Sequence, residues 1–367
     1  MFIEKIDRDA LLKPLQTVVG IVERKQPLPI LSNVLIEKDS SSIRLIATDL
    51  EIQISTQQRI EINAESGAVT VSAKKLQEIL RVLPEESKVS LDIQENKLTI
   101  KANKSRFSLQ TLPAQDFPVV ANQLENASKI NLKQGLLKKL LGLVQYAMAQ
   151  QDIRYYLNGV LLVIEGQQIR LIATDGHRLA FVSSRLENEH AKHEVILSRK
   201  TVNELSKLLS DSEELITLEL AEKQVRISFA DIVLTSKVID GKFPDYERVI
   251  PNYTNHLPLD RITILQALQR AAILSNEKFR GVRFVLTEKN LRVISSNSEQ
   301  EEAQEDIEND YHGPALDIGF NVNYLLDGLN NTPAQTVTFS FGDPNSSILI
   351  TVPGEDEFKY VVMPMRI

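Results

Sequence analysis

Ile46-Ala47-Thr48-Asp49 returns as Ile172-Ala173-Thr174-Asp175, 126 residues later, and a weaker copy, Ile294-Ser295-Ser296-Asn297, follows 122 residues after that. Phe117-Pro118 recurs as Phe243-Pro244 with the same 126-residue spacing. Self-similarity at a fixed interval is the mark of an architecture built from copies of one unit. The sequence therefore predicts three copies of one domain, arranged as an arc or a ring, rather than one large fold with a central cleft.

The length of the chain fits this interpretation. Its 367 residues divide into three parts of about 120 residues, a size at which a chain buries one adequate core. We predict domains over residues 1–124, 125–252 and 253–367. Each is expected to be an α+β unit of two helices and antiparallel sheets.

Composition excludes several classes of protein. The chain has no cysteine, which removes disulfides, thiolate nucleophiles and cysteine-ligated zinc, and suits a reducing compartment. Residues 1–11 are too charged for a secretory signal, and no apolar run approaches the roughly 18 residues of a membrane span. We expect a soluble cytoplasmic protein with no membrane partner.

Each repeat carries the pattern of helices and short strands. In the middle repeat, Leu132–Ala147 has leucines at helical spacing, and a second helix follows Ser198, a suitable N-cap. Between them, Val160–Ile164 and Ile169–Ile172 are two apolar runs separated by Glu165-Gly166. This spacing predicts a β-hairpin.

The predicted helices are basic although the chain is acidic. Counting Lys, Arg, Asp and Glu, residues 132–147 carry +3, and residues 71–83 and 198–209 carry +2 each, within a chain of formal charge −7. These cations could simply solvate exposed helix faces. If repeats are arranged about one axis, however, equivalent helices would turn the same charge toward one surface, which would attract duplex DNA without sequence preference. Both explanations stay open on charge alone.

Four segments, in the correct order, resemble one known family. They are Asp152–Gly159, Ala173–Ala180, Leu274–Gly281 and Tyr360–Arg366. Through them the chain resembles the bacterial DNA polymerase III beta subunit, the sliding clamp, from Leu11 to its end. The resemblance implies three repeated clamp domains per chain and a head-to-tail homodimer, which forms a six-domain ring around double-stranded DNA and tethers the polymerase.

The resemblance also implies an apolar site for short peptides, here called the peptide pocket. In clamps, one loop of the central domain joins the C-terminal strand and tail to form it. The matching residues are Leu157, Thr174, Gly176, His177, Arg178, Leu179, Pro244, Arg248, Val249, Asn321, Tyr324, Ser347, Val361, Val362, Met363, Pro364, Met365 and Arg366.

The residue types of the peptide pocket suit several partners. Methionine is flexible and polarizable, so a pocket lined by Met and Leu can accept related but unequal side chains. His177 could instead be a packing histidine, and Val361 and Val362 could complete an edge strand; a strand fixed by the fold can still present its end to solvent. Asp175 occupies the repeat position of Asp49 and Asn297, where Asp or Asn suits a turn, so we expect Asp175 to be structural.

A head-to-tail dimer needs two different surfaces. The resemblance implies a basic edge on the first domain and an acidic edge on the third. The matching residues are Lys104, Arg106, Phe107, Leu109, Ile273, Leu274, Glu299, Glu301, Glu302 and Glu305. Without the resemblance, the acidic run could be a disordered loop, a metal site or, by preference, a solvated strand.

DNA contacts are implied at the hole of the ring. The matching residues are Lys25, Lys74, Lys75, Gln151, Arg154, Tyr155, Tyr156, Arg199 and Lys200. Lys25 stands where arginine is familiar in the family, which keeps the attraction to phosphate but loses the planar fork. Loose phosphate contacts are what sliding requires, because strong base readout would hold the ring at one sequence.

Two other classes of function remain as alternatives. An enzyme is disfavoured, because the chain lacks a phosphate-binding loop, a dinucleotide fingerprint and a His-Glu-x-x-His motif; a hydrolase built on Asp175 and His177 is conceivable. A ring or scaffold that binds proteins without DNA is the other alternative. No cofactor or metal is expected. The resemblance implies as partners the polymerase alpha subunit, a clamp-loader ATPase complex and other proteins with a clamp-binding motif.

Overall fold

The computed structural model describes residues 2–23, 28–60, 66–120, 124–352, 354 and 357–366. These form two compact units. One combines Met1–Gly135 with Lys207–Val238, and the other combines Leu136–Ser206 with Ile239–Ile367. The predicted domain boundaries at 124 and 252 therefore stay a prediction, and Lys25 lies outside the described residues.

The helices and strands alternate as the repeats predict. The helices are α1 Arg8–Val19, α2 Ala73–Val82, α3 Gln134–Val144, α4 Arg199–Leu208, α5 Arg261–Ile273 and α6 Val322–Asn331. The strands are β1 Ile3–Asp7, β2 Asn33–Lys38, β3 Ser42–Thr48, β4 Ile52–Arg59, β5 Gly67–Ser72, β6 Lys88–Gln94, β7 Lys97–Ala102, β8 Ser105–Leu112, β9 Ser128–Lys133, β10 Gly159–Thr174, β11 Arg178–Ser198, β12 Leu215–Leu220, β13 Gln224–Phe229, β14 Ile232–Ile239, β15 Asn255–Asp260, β16 Gly281–Thr287, β17 Asn290–Ser296, β18 Glu302–Glu308, β19 Leu316–Asn321, β20 Thr336–Phe341, β21 Ile348–Val352 and β22 Glu357–Val362.

The strands of each unit pair antiparallel. In the first unit the order of neighbours is β1-β6-β7-β8-β5-β2-β3-β4-β14-β13-β12-β9. In the second unit, β10-β11-β22-β21-β20-β15 form one run and β18-β17-β16-β19 form another. Antiparallel sheets of this kind bury one face and leave the other for solvent or partners.

Two of these pairings join strands from different predicted domains. We call the pairing of β4 with β14 the first junction and the pairing of β11 with β22 the second junction. The register is the same at both once 126 is added to each number: Gln53↔Thr235 becomes Leu179↔Val361, and Ser55↔Val233 becomes Phe181↔Lys359. The repeat in the sequence is thus a repeat of backbone geometry.

The recurring Asp or Asn has the structural role expected for Asp175. Asp49 Oδ1 accepts hydrogen bonds from the backbone N–H of residues 51 and 52, and Asp175 Oδ1 accepts them from residues 177 and 178. Asn297 Oδ1 does the same for residues 299 and 301. Each side chain closes a tight turn between two strands.

The predicted hairpin between Val160–Ile164 and Ile169–Ile172 is wrong. Both runs belong to the single strand β10, which pairs with β11 along its length. Gly166 has φ +59 and lies where the register shifts, so the Glu165-Gly166 signal marks a β-bulge rather than a turn.

The helix predicted over Leu132–Ala147 begins later than expected. Its first two residues end β9, α3 starts at Gln134, and Gln145–Ala147 is a 3₁₀ turn. The predicted N-cap at Ser198 is confirmed, because its Oγ accepts a hydrogen bond from the N–H of Thr201 at 3.2 Å.

The basic residues of α5 are used inside the fold. Arg261 donates from Nε to the Ala334 carbonyl at 2.7 Å and from Nη1 to the Leu329 carbonyl at 3.1 Å. Arg270 makes a bidentate ion pair with Glu305, at 2.6 and 2.8 Å. In this helix the cations therefore hold the domain together, which the count of charges alone could not reveal.

Candidate functional site

The C-terminal strand and tail are held in place by backbone hydrogen bonds. After β22, the N–H of Met363 donates to the His177 carbonyl at 2.9 Å, and the N–H of Met365 donates to the Gly319 carbonyl at 2.8 Å. Val361 is 1% exposed, whereas Met363 is 47% exposed. The tail thus completes the second junction and also offers an apolar side chain to solvent.

An apolar floor lies beside this tail. Leu179 and Val361, paired across the second junction, belong to one buried cluster with Ile172 and Phe243. Leu157 is buried, while Pro244, Arg248 and Val249, on the segment after Phe243, are exposed. Arg248 pairs with Asp245 at 2.8 Å. An apolar floor with exposed residues around it is a surface that can take the side chains of a short peptide.

Arg178 lies under the rim of the peptide pocket rather than on its surface. Its side chain is 9% exposed and donates to Asp175 Oδ2 at 3.0 Å, to Asp327 Oδ2 at 2.5 Å and to the Tyr146 carbonyl at 2.6 Å. The guanidinium carbon lies 4.6 Å from the centre of the Tyr324 ring. A planar fork with five donors suits such a buried network, which joins the His177 turn to α6.

Burial and charge in this network change the pKa of its members. Burial works against the charge of Arg178, but nearby Tyr360 and the hydrogen bond to Asp327 leave the pKa of Arg178 raised. Burial raises the pKa of Tyr360 and of Tyr324. Arg178 therefore keeps its positive charge and the two phenols keep their protons at physiological pH.

The rim of the peptide pocket is built on these supports. The His177 ring stacks on the Tyr324 ring, with centroids 6.4 Å apart and planes at 16°. Asn321 caps α6 by accepting from the N–H of Asn323 at 2.9 Å, and the Ser347 carbonyl accepts from the Tyr253 hydroxyl at 2.7 Å. The structure thus brings His177, Tyr324 and the tail together. Sequence reasoning missed Tyr146 and Asp327 as the partners that fix them.

The predicted DNA contacts of the second unit lie near one another. Gln151, Arg154 and Tyr155 are exposed on one loop, and Arg199 donates to the backbone carbonyls of that loop at Met148 and Ala149, at 3.2 and 3.4 Å. The rings of Tyr155 and Tyr156 meet at 5.9 Å. Lys200 follows Arg199 at the start of α4, while Lys74 and Lys75 are on α2 of the first unit.

Arg154 is partly occupied within the chain. It pairs with Asp152 at 2.9 Å and donates to the Asp175 carbonyl at 3.3 Å. The hydrogen bond from Arg154 lowers the pKa of Asp152 to about 2. The net charge that this loop presents to a polyanion is therefore smaller than the count of basic residues suggests.

Two sheet edges carry the predicted dimer contacts. Over Ser105–Gln110, β8 pairs with β7 on one side, and within the described ranges no strand pairs with its other side. In the same part of the chain, β18 pairs with β17 alone. Arg106, Phe107 and Leu109 lie on β8 with Lys104 just before it; Glu302 and Glu305 lie on β18 with Glu299 and Glu301 just before it. Ile273 is 76% exposed, and Leu274 follows it.

The acidic edge is a strand, and part of its charge is balanced internally. Glu305 pairs with Arg270, and that hydrogen bond lowers the pKa of Glu305. In the part of the chain that the structure describes, no group of three His, Asp or Glu side chains could hold a metal ion. Nor does any helix there have the length and apolarity needed to cross a membrane.

Comparison with known families assigns each third of the chain. Residues 1–121, 131–245 and 247–366 match the N-terminal, central and C-terminal domains of the DNA polymerase III beta subunit. A beta sliding clamp of Pseudomonas putida is 46% identical over 365 residues, which are 99% of each protein. That of Escherichia coli K12 is 40% identical over 363 residues, again 99% of each.

Solved structures give the same answer for the fold. A crystal structure of the DNA polymerase sliding clamp from Pseudomonas aeruginosa with ligand is 44% identical, covers 99% of both chains and superposes with a TM-score of 0.95. A beta sliding clamp from C. crescentus is 37% identical with a TM-score of 0.94, over 99% of this chain and 98% of that one. The three-domain clamp fold predicted from the repeats and from the resemblance is confirmed.

Proposed function

Because the chain belongs to the DNA polymerase III beta subunit family, the beta sliding clamps, we propose that two copies close head to tail into a ring around duplex DNA and tether the replicative polymerase. The observation that carries this proposal is similarity over the whole chain, in three consecutive domains. Clamps are processivity factors rather than enzymes. Their place of work is the chromosome, so the proposed location is the bacterial cytoplasm.

Ring closure would pair the open edges of β8 and β18 from two copies. Unpaired strand edges invite pairing with another chain, and β8 and β18 belong to different units. Arg106 and Lys104 at the first edge complement Glu299, Glu301 and Glu302 at the second. A contact between two different surfaces closes when the rotation allows it, here after two protomers.

DNA would be held by topology, with weak contacts from α2, α4 and the loop that carries Arg154. Contacts to phosphate are independent of sequence and weakened by salt. The internal pairing of Arg154 with Asp152 fits loose attachment, because part of its charge is already balanced. A nearly flat energy along the duplex is what sliding requires.

The peptide pocket would receive the polymerase alpha subunit, the clamp-loader complex and other proteins with a clamp-binding motif in turn. Its apolar floor and its exposed Met363 accept unequal side chains. The chain has no phosphate-binding loop, so a separate ATPase would open the ring.

A loading experiment tests encirclement. Protein loaded onto nicked circular plasmid with a clamp loader and ATP should elute with the DNA in gel filtration at moderate salt, and should be lost after one restriction cut. Linear DNA with both ends blocked by bound streptavidin should retain it again. Equal retention on open linear and circular DNA would replace encirclement by ordinary surface binding, and protein held without any DNA dependence would favour a scaffold.

A further inference from the structure

A cavity of about 540 Å³ lies in the second unit beside the peptide pocket. Phe181 on β11 and Leu349 on β21 line it from the sheet, and Tyr246 and Ile250 line it from the segment that follows Phe243. We call it the Phe181 cavity. None of its lining residues belongs to the set predicted for the peptide pocket.

The Phe181 cavity continues the floor of the peptide pocket. Leu179 and Phe181 are two residues apart on β11 and share a sheet face, and their partners across the second junction are Val361 and Lys359. Leu179, Val361, Phe181 and Leu349 belong to one apolar cluster. Two residues of an extended chain span about 7 Å, so a peptide bound over Leu179 and running along β11 would reach Phe181 about two residues later.

The cavity has an apolar floor within a polar lining, which is formed by Gln168, Arg170, Ser183, Glu247, Asn252, Glu357 and Lys359. The rings of Phe181 and Tyr246 lie 5.9 Å apart with planes at 31°, and Lys359 Nζ lies 5.4 Å from the centre of the Phe181 ring. The two cations at its edge are already paired: Lys359 pairs with Glu357, and Arg170 pairs with Glu165 at 3.1 Å and with Glu247 at 3.9 Å. A charged side chain would therefore gain little, whereas a ring could pack on Tyr246, the half-buried member of the aromatic pair.

The fold itself does not require this aromatic floor. At the equivalent place in the first junction, Ser55 replaces Phe181 and Arg226 replaces Leu349, with the same strand register. There Gln53, Ser55, Arg226 and Thr235 make the floor of the cavity polar, and Arg44 lines it as Arg170 lines the other. The common backbone thus accepts either polar or apolar side chains at these two positions, so the fold does not require Phe181 and Leu349.

We infer that the Phe181 cavity is a further subsite of the peptide pocket, for a large apolar and preferably aromatic residue about two positions beyond the apolar anchors of a partner peptide. This inference rests on the proposed function, because it requires a peptide over Leu179 and Val361. The subsite would give different affinities to partners that share the same anchors but differ in the flanking residue.

Fluorescence anisotropy with synthetic peptides tests the inference. A parent peptide contains only the apolar anchors; extended versions carry Phe, Ala, Asp or Lys two positions beyond the anchors, at either end. At one end only, Phe should tighten Kd five- to tenfold relative to Ala, with no gain for Asp or Lys. Equal Kd values for Phe and Ala at both ends would overturn the subsite. A parent peptide that fails to bind would overturn the peptide pocket as well.

A protein variant distinguishes loss of the subsite from general effects on folding. Tyr246→Ala should abolish the advantage of Phe while changing the Kd of the parent peptide less than twofold, and Tyr246→Phe should keep the advantage. A benzoylphenylalanine at the same peptide position should crosslink to Tyr246 or Phe181. A Phe advantage that persists in Tyr246→Ala, or crosslinks only elsewhere, would show that the cavity does not receive this residue.

Discussion

The two junctions have the same backbone and opposite surfaces. Leu179 and Val361 at the second junction correspond to Gln53 and Thr235 at the first, in the same register. The backbone hydrogen bond that follows the last paired residues of each junction also recurs. The N–H of Met363 donates to the His177 carbonyl, and that of Lys237 donates to the Glu51 carbonyl. One scaffold therefore yields an apolar surface, the proposed peptide pocket, in one place and a polar surface in the other.

Two polar side chains of the first junction make hydrogen bonds within the same unit. Gln53 Oε1 accepts a hydrogen bond from the N–H of Val120 at 2.8 Å, and Arg226 donates to Thr235 Oγ1 at 3.3 Å. Buried polar groups need such partners, and the bond from Val120 to Gln53 holds the segment at Val120 against the strand. The residue equivalent to Val120 at the second junction is Tyr246, whose ring packs on Phe181 instead. The cavity at the first junction is therefore lined by polar side chains that bond within the fold, whereas the second junction carries an apolar floor.

Of the changes that test this comparison, removal of the tail should reduce peptide binding most. At the first junction the strand β14 runs on past Lys237, whereas at the second β22 stops at Val362 and Met363 follows outside the strand. Deletion of residues 363–367 should abolish binding of polymerase-derived peptides, because the exposed Met363 and the bonds to His177 and Gly319 are lost. Isothermal titration would measure binding, and sedimentation should still find a dimer. A variant that becomes monomeric would assign the tail to the dimer contact.

An exchange of side chains between the junctions should have the next largest effect. Leu179→Gln with Val361→Thr copies the first junction into the second, on a backbone that already accepts these residues. Loss of two apolar contacts worth about 1.5 kcal/mol each should weaken peptide binding roughly 100-fold, as measured by anisotropy. Gln53→Leu with Thr235→Val is the matched control and should leave Kd unchanged. Unaltered binding by the first double variant would refute the role of the floor.

Substitution of Arg178 should reduce peptide binding less, because Arg178 supports the residues of the peptide pocket from below. Its equivalent at the first junction is the buried Ile52. Arg178→Ile should leave Asp175 and Asp327 without their fork, at a cost of about 2 kcal/mol in the free energy of unfolding, measured in urea. Peptide affinity should fall about tenfold as His177 and Tyr324 lose alignment. Arg185→Ile, at an exposed position of the same strand, should change neither quantity.

A fall in pH should destabilise the sheet β18-β17-β16-β19 more than the second junction. This is the smallest of the predicted effects. Hydrogen bonds from Asn290, Gln304 and Arg292 lower the pKa of Asp306 to about 2, and Arg270 lowers that of Glu305. A lowered folded-state pKa stabilises the fold above the ordinary pKa near 4 and stops doing so as pH falls toward 2. Amide exchange in β18 should therefore rise between pH 4 and 2, while that in β11 changes less. Asp306→Asn should reduce this dependence, and equal changes in both strands would contradict it.

The repeat in the sequence predicts much of the fold, because backbone geometry recurs wherever the turn residue recurs. Asp49, Asp175 and Asn297 show this directly. The sequence does not distinguish the bulge at Gly166 from a turn, because a glycine with positive φ serves both and the sequence does not show which strands pair.

The site was less accessible to sequence reasoning. Family resemblance predicts the residues of the peptide pocket, but the support of Arg178 by Asp327 and Tyr146 joins residues far apart in the chain. One signal could have found more. Alignment of the two repeats at 126 residues places Phe181 against Ser55 and Leu179 against Gln53, and a change from polar to apolar at a fixed strand position marks the specialised copy.

Native mass spectrometry with a polymerase-derived peptide carrying a photoreactive anchor tests the central claim most directly. We predict one peptide per chain at saturation, two per dimer, with crosslinks at Leu179, Val361 or Met363. Two peptides per chain, or crosslinks at Ser55 or Thr235, would contradict the claim that side chains alone make a peptide pocket of one junction and not of the other.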